Sequence, residues 1–487
     1  MIMKFLCREN RADWLVWSTI FFLGISQVIY AVSWLRWYVA IAYVAFLLVS
    51  FATTFRNETI DSRDTATVWL RWPLVMAIAA IIFIWNYFSG VGYFSYQNSD
   101  WIKHNAIMFD LINKPWPVFY SIMNDGDNQS LTLVYYLAYY LPIALIGKLF
   151  SAKFAVTYFA LIYNIFATSL SVLWLFRLVG RASVLILLSF VFFSGLGIVH
   201  YWVNNVNPLW TDCIEWWVGK RLLQFSSNST ALYWVPQQVF GAWLGTSLLL
   251  HQFMSKDGTE NTLFYWSLSL FWSPFIFIGQ IFLVGADLLY KKFRGIVSMQ
   301  NILGAGATVI ILGFFYTSRI DKNSPTFLNI SDLIYYWDRI ATFIELQLLI
   351  FIPFILWVFR KGIDKRYRYL FLVLLLNLVC AMTFRLGLNN DFCMRESLPG
   401  LFILQVLLFK NFSHPFEMSK QVVPKILLIV VLIIGAQTSF REIYRGIVGE
   451  RATIDINANL IKDLDARWHQ QYLGSIWSFY DNNLLRR

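Results

Sequence analysis

Charge is what this chain has least of: Asp, Glu, Lys and Arg make up 14% of its 487 residues, against roughly 25% in a soluble domain. With 58% hydrophobic residues beside it, that shortage excludes the string of soluble domains that length alone would suggest. Cysteine is scarce as well. Cys7, Cys213, Cys380 and Cys393 show neither a CxxC pair nor metal-ligand spacing, which excludes a disulfide framework and a zinc site. Cys213 and Cys393 fall in loops where they could pair, but isolated thiols are the preferred reading. No cleavage site of small residues follows the first apolar run, which leads straight into a second, so a removable signal peptide is not expected. Internal repeats and low-complexity segments are missing too.

Long apolar runs are abundant. Thirteen segments approach the ~20 residues that cross a hydrocarbon core: 14–32, 34–54, 70–90, 131–150, 153–178, 182–200, 233–252, 262–290, 301–317, 342–359, 368–386, 397–410 and 424–440. Each must be helical, because lipid offers the backbone no hydrogen-bond partner. The expected fold is therefore all-α, a polytopic membrane protein of about thirteen spans. The formal net charge of +11 is no sign of nucleic-acid binding, because Lys and Arg cluster between apolar runs as the positive-inside bias predicts.

Lys4, Arg8 and Arg11 place the N-terminus in the cytoplasm. Basic clusters at Lys291–Arg294, Lys361–Arg368 and Lys410–Lys425 agree with an alternating path that leaves the tail 441–487 outside. The middle is open to two paths. Strict alternation puts Arg177 and Arg181 outside and the Trp-rich loop 201–232 inside. The other path makes 131–150 re-entrant, breaks 262–290 near Pro274, and exchanges those two assignments.

The first large external loop contains NSDWIKHNAIMFDLINKPWPVFY. On a helix over 99–113, with Ser99 as N-cap, Asp100, Lys103, His104, Asp110 and Lys114 share one face. The pattern predicts an amphipathic helix lying on the bilayer surface. Asp100 and His104, four residues apart, could activate an acceptor hydroxyl or share a divalent cation such as Mg or Mn. The plain alternative is a surface clamp with a solvated charged face.

Three features follow in order: Asp100 heading SDWIKHNAIMFDL, the Tyr-rich LTLVYYLAYYLPIALIGKLF, and SAKFAVTYFALIYNIFATSLSVLWLFRLVGR closing on Gly-Arg. This order resembles the GT-C superfamily of polyprenyl-phosphate-sugar-dependent glycosyltransferases, in particular its protein O-mannosyltransferase and aminoarabinose-transferase branch. The likeness covers roughly residues 70–200. Two departures stand out: Trp101 occupies the place of a second acidic residue, and Gln129-Ser130 that of a Pro-Pro pair. Spans 14–54 look like an addition ahead of the family's first helix, so the expected division is an N-terminal hairpin (1–69), a catalytic transmembrane unit (70–440) and a small helical tail on the membrane surface (441–487). The resemblance implies an inverting transfer with Asp100 as the base.

The leaving phosphate then needs a cation, and an Arg fork suits it. FRLGLNNDFCMRESLPG supplies Arg385, Asp391 and Arg395 on the outer face, against the positive-inside bias; snorkelling from helix ends is the plain alternative. Lys103 could join them. In loop 201–232, Trp216 and Trp217 could stack on sugar, though interfacial anchoring explains them equally. Gln237 and Gln238 enter an apolar span where unpaired amides are costly. Expected partners are a polyprenyl-phosphate-sugar donor, a glycolipid, polysaccharide or protein acceptor, and membrane lipids. The expected location is a bacterial inner membrane. Two rivals remain: a polymerase or ligase of lipid-linked glycans, and a transporter or flippase for lipid-linked sugars, which repeats and midplane charges would have favoured.

Overall fold

The computed structural model describes residues 2–4, 13–58, 69–124, 127–203, 215, 223–319, 326–327, 334–335, 337–359, 365–386, 390–413, 422–465, 469, 471–475 and 482–486. In chain order the helices used below are α1 (Trp14–Trp34), α2 (Trp37–Arg56), α3 (Trp72–Tyr87), α4 (Asp100–Asn113), α5 (Tyr140–Leu149), α6 (Ala152–Val179), α7 (Asn228–Trp234) and α8 (Pro236–Ser255). They continue as α9 (Thr262–Leu268), α10 (Pro274–Tyr290), α11 (Gln300–Thr317), α12 (Trp337–Leu356), α13 (Lys365–Thr383), α14 (Asp391–Lys410) and α15 (Lys425–Val448). Eight of them, α1, α2, α6 and α11 to α15, are long and apolar enough to cross a membrane. Large apolar side chains such as Ile41, Met76, Ile310 and Ile433 point outward from this bundle, as a lipid-facing surface requires. The chain is a helical membrane protein.

Local chemistry sets the helix ends. Asp13 caps α1 by accepting the Val16 N–H at 3.3 Å. Proline opens α3, α8 and α10 in the first turn, where its missing N–H costs nothing. Gly180 ends α6 at φ 82°, a left-handed conformation that glycine adopts without strain.

Ion pairs and hydrogen bonds sort the helix ends into two groups. Asp13 Oδ2 lies 2.6 Å from Arg177 Nη1, so α1 begins where α6 ends. Glu58, just past α2, accepts from Lys256 at the end of α8 and from Tyr265 on α9, at 2.8 and 2.9 Å. Lys291, just past α10, donates to the Gln252 carbonyl at 2.6 Å. The opposite end gathers α4, the end of α5, the start of α8 and the start of α14. Arg177 and the 223–227 segment therefore stand at opposite ends, as both paths expect.

Two of the thirteen segments are not single helices, as one of the two paths expected. Segment 131–150 is not one helix: 134–139 is largely non-helical and only ten residues, Tyr140–Leu149, form α5. It dips to mid-bundle, where Ser26 Oγ donates to the Ala138 carbonyl at 2.5 Å, and returns, with Lys148 Nζ donating to the Lys114 carbonyl at 2.6 Å. Segment 262–290 breaks before Pro274, and Thr262 Oγ1 donates to Asp287 across its two arms at 2.5 Å. Its turn presses on α8 at Gly241, where a methyl would lie 2.5 Å from Trp272 Cβ. Val16, Ile20, Leu23 and Trp34 of α1, in the N-terminal hairpin, sit in the same core as α8 and α14.

The all-α expectation also omitted a small sheet. Strands β1 (Phe119–Asn124) and β2 (Asp127–Leu133) form an antiparallel hairpin, and β3 (Leu473–Ser475) joins the free edge of β2 in the register Leu131↔Ser475, Thr132↔Gly474, Leu133↔Leu473. The tail is thus drawn onto the bundle instead of lying beside it.

Candidate functional site

Helix α4 is placed from both sides. Ser99 makes no side-chain cap; the Asp100 N–H instead donates to Asn98 Oδ1 at 3.0 Å, and Asn98 Nδ2 donates to the Tyr233 carbonyl at 2.9 Å. Trp101 Nε1 reaches the same carbonyl at 3.0 Å. One turn on, His104 Nε2–H donates to the Trp234 carbonyl at 2.9 Å, and the Tyr140 hydroxyl donates to Nδ1 at 2.6 Å. The tautomer follows because a carbonyl can only accept. Asp110 is held by Lys114 at 2.6 Å, the Tyr120 hydroxyl at 2.8 Å, the Leu460 N–H at 2.9 Å and Asn459 Nδ2 at 3.0 Å.

The expected surface helix is therefore overturned. Lys103, His104 and Asp110 are buried, along with the apolar residues of the opposite face. The reason is coverage: α5, α7 and the returning tail pack on α4, so Lys103, His104 and Asp110 of its charged face meet protein groups instead of water, while Asp100 and Lys114 stay partly exposed. The clamp with a solvated face falls with it.

Asp100 keeps 29% of its side chain exposed, against 10% for Lys103, with which it forms an ion pair. Burial pushes the Asp100 carboxyl up, but the Lys103 ammonium and the more distant Arg395 more than offset this and hold it below the usual range. Burial, with Lys103 beside it, drives the His104 imidazole down to about 3.

The start of α14 lies within electrostatic reach of Asp100. Asp391, 26% exposed at its side chain, pairs with Arg395 Nη2 at 3.0 Å. The Arg395 guanidinium lies 5.7 Å from the Phe275 ring centre, and its Nε is buried without a hydrogen-bond partner. Glu396 accepts from Asn377 at 2.8 Å, and Asn377 also donates to the Gly279 carbonyl at 2.9 Å, which fixes α14 against α10 and α13. Tyr135 and Tyr472 lie within electrostatic reach of Asp100, Asp391 and Arg395, and Tyr136 within reach of Arg395, Asp391 and Arg319.

The expected residues thus divide. Asp100, Lys103, Asp391 and Arg395 come together. Gln237 joins them, donating to the Tyr135 hydroxyl at 3.4 Å, while the Gln238 amide is buried with neither atom paired. Arg385 is half-buried in a two-residue strand, opposite Thr326. Trp216, Trp217 and Cys213 lie outside the described residues; Cys380 and Cys393 are free thiols. Sequence reasoning missed Arg319, Tyr135, Tyr136 and Tyr472. The run of paired tyrosines at 135–140 was its one available signal, and Tyr472 carried none.

Asp100 is already paired with an ammonium, both His104 nitrogens are engaged, and no cluster of three His, Cys, Asp or Glu occurs among the described residues. Comparison with protein-family models, curated proteins and solved structures finds no match.

Proposed function

We propose that this protein is an inverting membrane glycosyltransferase that moves a sugar from a polyprenyl-phosphate carrier to the hydroxyl of an acceptor: a glycolipid, a surface polysaccharide or a protein. The observation that carries this reading is that Asp100 and Arg395, from distant parts of the chain, lie within electrostatic reach of each other at one end of the bundle. A GT-C type of architecture with about thirteen membrane-embedded segments and a bacterial inner-membrane location belong to the same proposal. So do a cytoplasmic N-terminus and a reaction on the extracytoplasmic side.

Asp100 takes the proton of the acceptor hydroxyl as its oxygen attacks the anomeric carbon. The bond from that carbon to the phosphate oxygen breaks, and lipid phosphate leaves. Charge grows on the phosphate as it departs, where a preorganised cation lowers the barrier most. Arg395 supplies it, with an Nε–H already free of protein partners. In the donor complex Lys103 turns from Asp100 to the phosphate. That move both neutralises the leaving group and returns basicity to a carboxylate otherwise held low.

The experiment is Asp100→Asn in purified, reconstituted protein offered a labelled polyprenyl-phosphate sugar. Transfer drops by about 10²- to 10⁴-fold, the usual share of a general base, while donor binding survives. Full activity in this variant sinks the reading. Lipid movement across the bilayer without sugar cleavage sinks it too.

A further inference from the structure

The tail ends close to the proposed site, and three sets of contacts fix it there. Asn459 caps a short helix (Leu460–Asp463) that hangs from Asp110 of α4 by two hydrogen bonds, at 2.9 and 3.0 Å. Strand β3 extends the sheet, with the Ser475 N–H donating to the Ser318 carbonyl at 2.9 Å. Gly474 permits this closeness, since a methyl there would lie 2.4 Å from Val134 Cγ2. Beyond it, the Arg36 N–H donates to the Leu484 carbonyl at 2.8 Å and the Arg486 N–H to the Trp34 carbonyl at 2.7 Å. Held on both sides, Tyr472 has little freedom. Its carbonyl accepts the Val134 N–H at 2.8 Å, and its ring lies 4.8 Å from that of Tyr135.

We infer that the C-terminal tail is a fixed strap that holds Tyr472 near Asp100 and Arg395 as a donor-binding residue, its ring and that of Tyr135 forming an aromatic wall for the sugar of the donor. The inference rests on the glycosyltransferase reading. The chemistry suits the place: a sugar ring offers a C–H face to an aromatic plane and hydroxyls to the polar groups around it. The rings of Tyr472 and Tyr135, both largely buried, meet at 55°, with Asp100, Asp391 and Arg395 within electrostatic reach. A wall of this kind binds ground state and transition state alike, so its loss raises KM and leaves kcat alone.

The test compares Tyr472→Phe, which keeps the ring, with Tyr472→Leu and Tyr472→Met, which remove it by two different shapes. Donor KM rises about tenfold in Leu and Met, the worth of one aromatic contact, with kcat within about twofold of the parent. Phe stays near the parent in both. Either ring-less variant suffices if the other fails to fold, as read from its melting temperature. Unchanged KM in a folded ring-less variant overturns the inference, and so does a loss in Phe equal to that in Leu. Absence of transfer by the unsubstituted protein overturns the glycosyltransferase reading instead, which keeps the two failures apart.

Discussion

The Nε2 of His104 and the carbonyl oxygen of Trp234 are 2.9 Å apart, so the imidazole proton has a fixed address and the ring serves as a strut between α4 and α7. Trp234 passes the link on, its indole N–H donating to Glu442 of α15 at 2.9 Å. The strut sets the rotation of α4, and with it the direction in which Asp100 points.

A pH prediction follows for His104. Burial holds the imidazole down to about 3, below its ordinary 6.5, so folding disfavours protonation. The neutral strut stabilises the fold fully above pH ~6.5, and that contribution shrinks as pH falls from there towards 3. Nitrogen NMR of labelled protein shows a neutral Nε2–H tautomer that does not titrate between pH ~5 and 8. Titration near 6.5 contradicts the assignment.

Lys103→Met tests the coupling next to it. Removing the ammonium leaves burial as the larger influence on Asp100, so its carboxyl rises. The acid limb of kcat/KM moves to higher pH, because a protonated carboxyl accepts no proton. KM for the donor rises as well, since the same ammonium serves the phosphate. An acid limb that stays put means another group is the base.

The spans were legible because lipid leaves apolar helix as the default for most of the chain, and Asp100, Arg395 and Asp391 were legible because charge at the edge of an apolar run is costly without a task. The geometry of α4 was not. A helical wheel gives the faces but not what covers them, and the cover comes from Tyr140, Trp234 and Leu460, up to 350 residues away. The breaks at 134–139 and before Pro274 were one of two paths the sequence left open, and hydropathy did not choose between them. Ala138 and Trp266 read as ordinary helix; only the Ser26 bond to one and the 2.7 Å bond from the other to the Phe277 carbonyl show the chain turning back.

Glu58 governs acid stability at the far end of the bundle. It is buried, yet Lys256, Tyr265 and Asn261 bring it donors at 2.8, 2.9 and 2.9 Å, and His251 lies at 3.4 Å. Burial alone would push its carboxyl up, but these partners prevail and hold it at about 2. A carboxyl lowered in this way stabilises the fold above its ordinary pKa near 4.5, and the contribution is lost as pH falls towards 2. Glu58→Gln lowers stability at pH 7 by about 2 kcal/mol, part of the larger cost of a wholly buried pair because Lys256 retains some contact with water. It also flattens the drop in melting temperature below pH ~4.5. A variant that melts like the parent at both pH values would refute this account.

Asp110 is the point where the tail depends on α4, and its two oxygens are shared among four donors, two of them from residues 459 and 460. Asp110→Ala removes every acceptor at once. The Leu460 N–H and the Tyr120 hydroxyl are left buried, and Lys114 keeps only its 4.0 Å contact with the Tyr120 ring. The cost is about 3 kcal/mol, the range for breaking a buried charged network. It falls on the tail before the bundle, because α4 is still pinned by Trp101 and His104. Hydrogen exchange therefore quickens over 459–475 while α6 and α8 stay protected, and transfer weakens through donor KM in the way that loss of Tyr472 weakens it. Asp110→Asn is milder but not neutral: its oxygen still accepts from Leu460 or Tyr120, while its amide N–H faces Lys114 and Asn459 Nδ2, which are donors too. Uniform loss of protection across the bundle would show that Asp110 holds up the whole fold, and that the tail is no separately anchored strap.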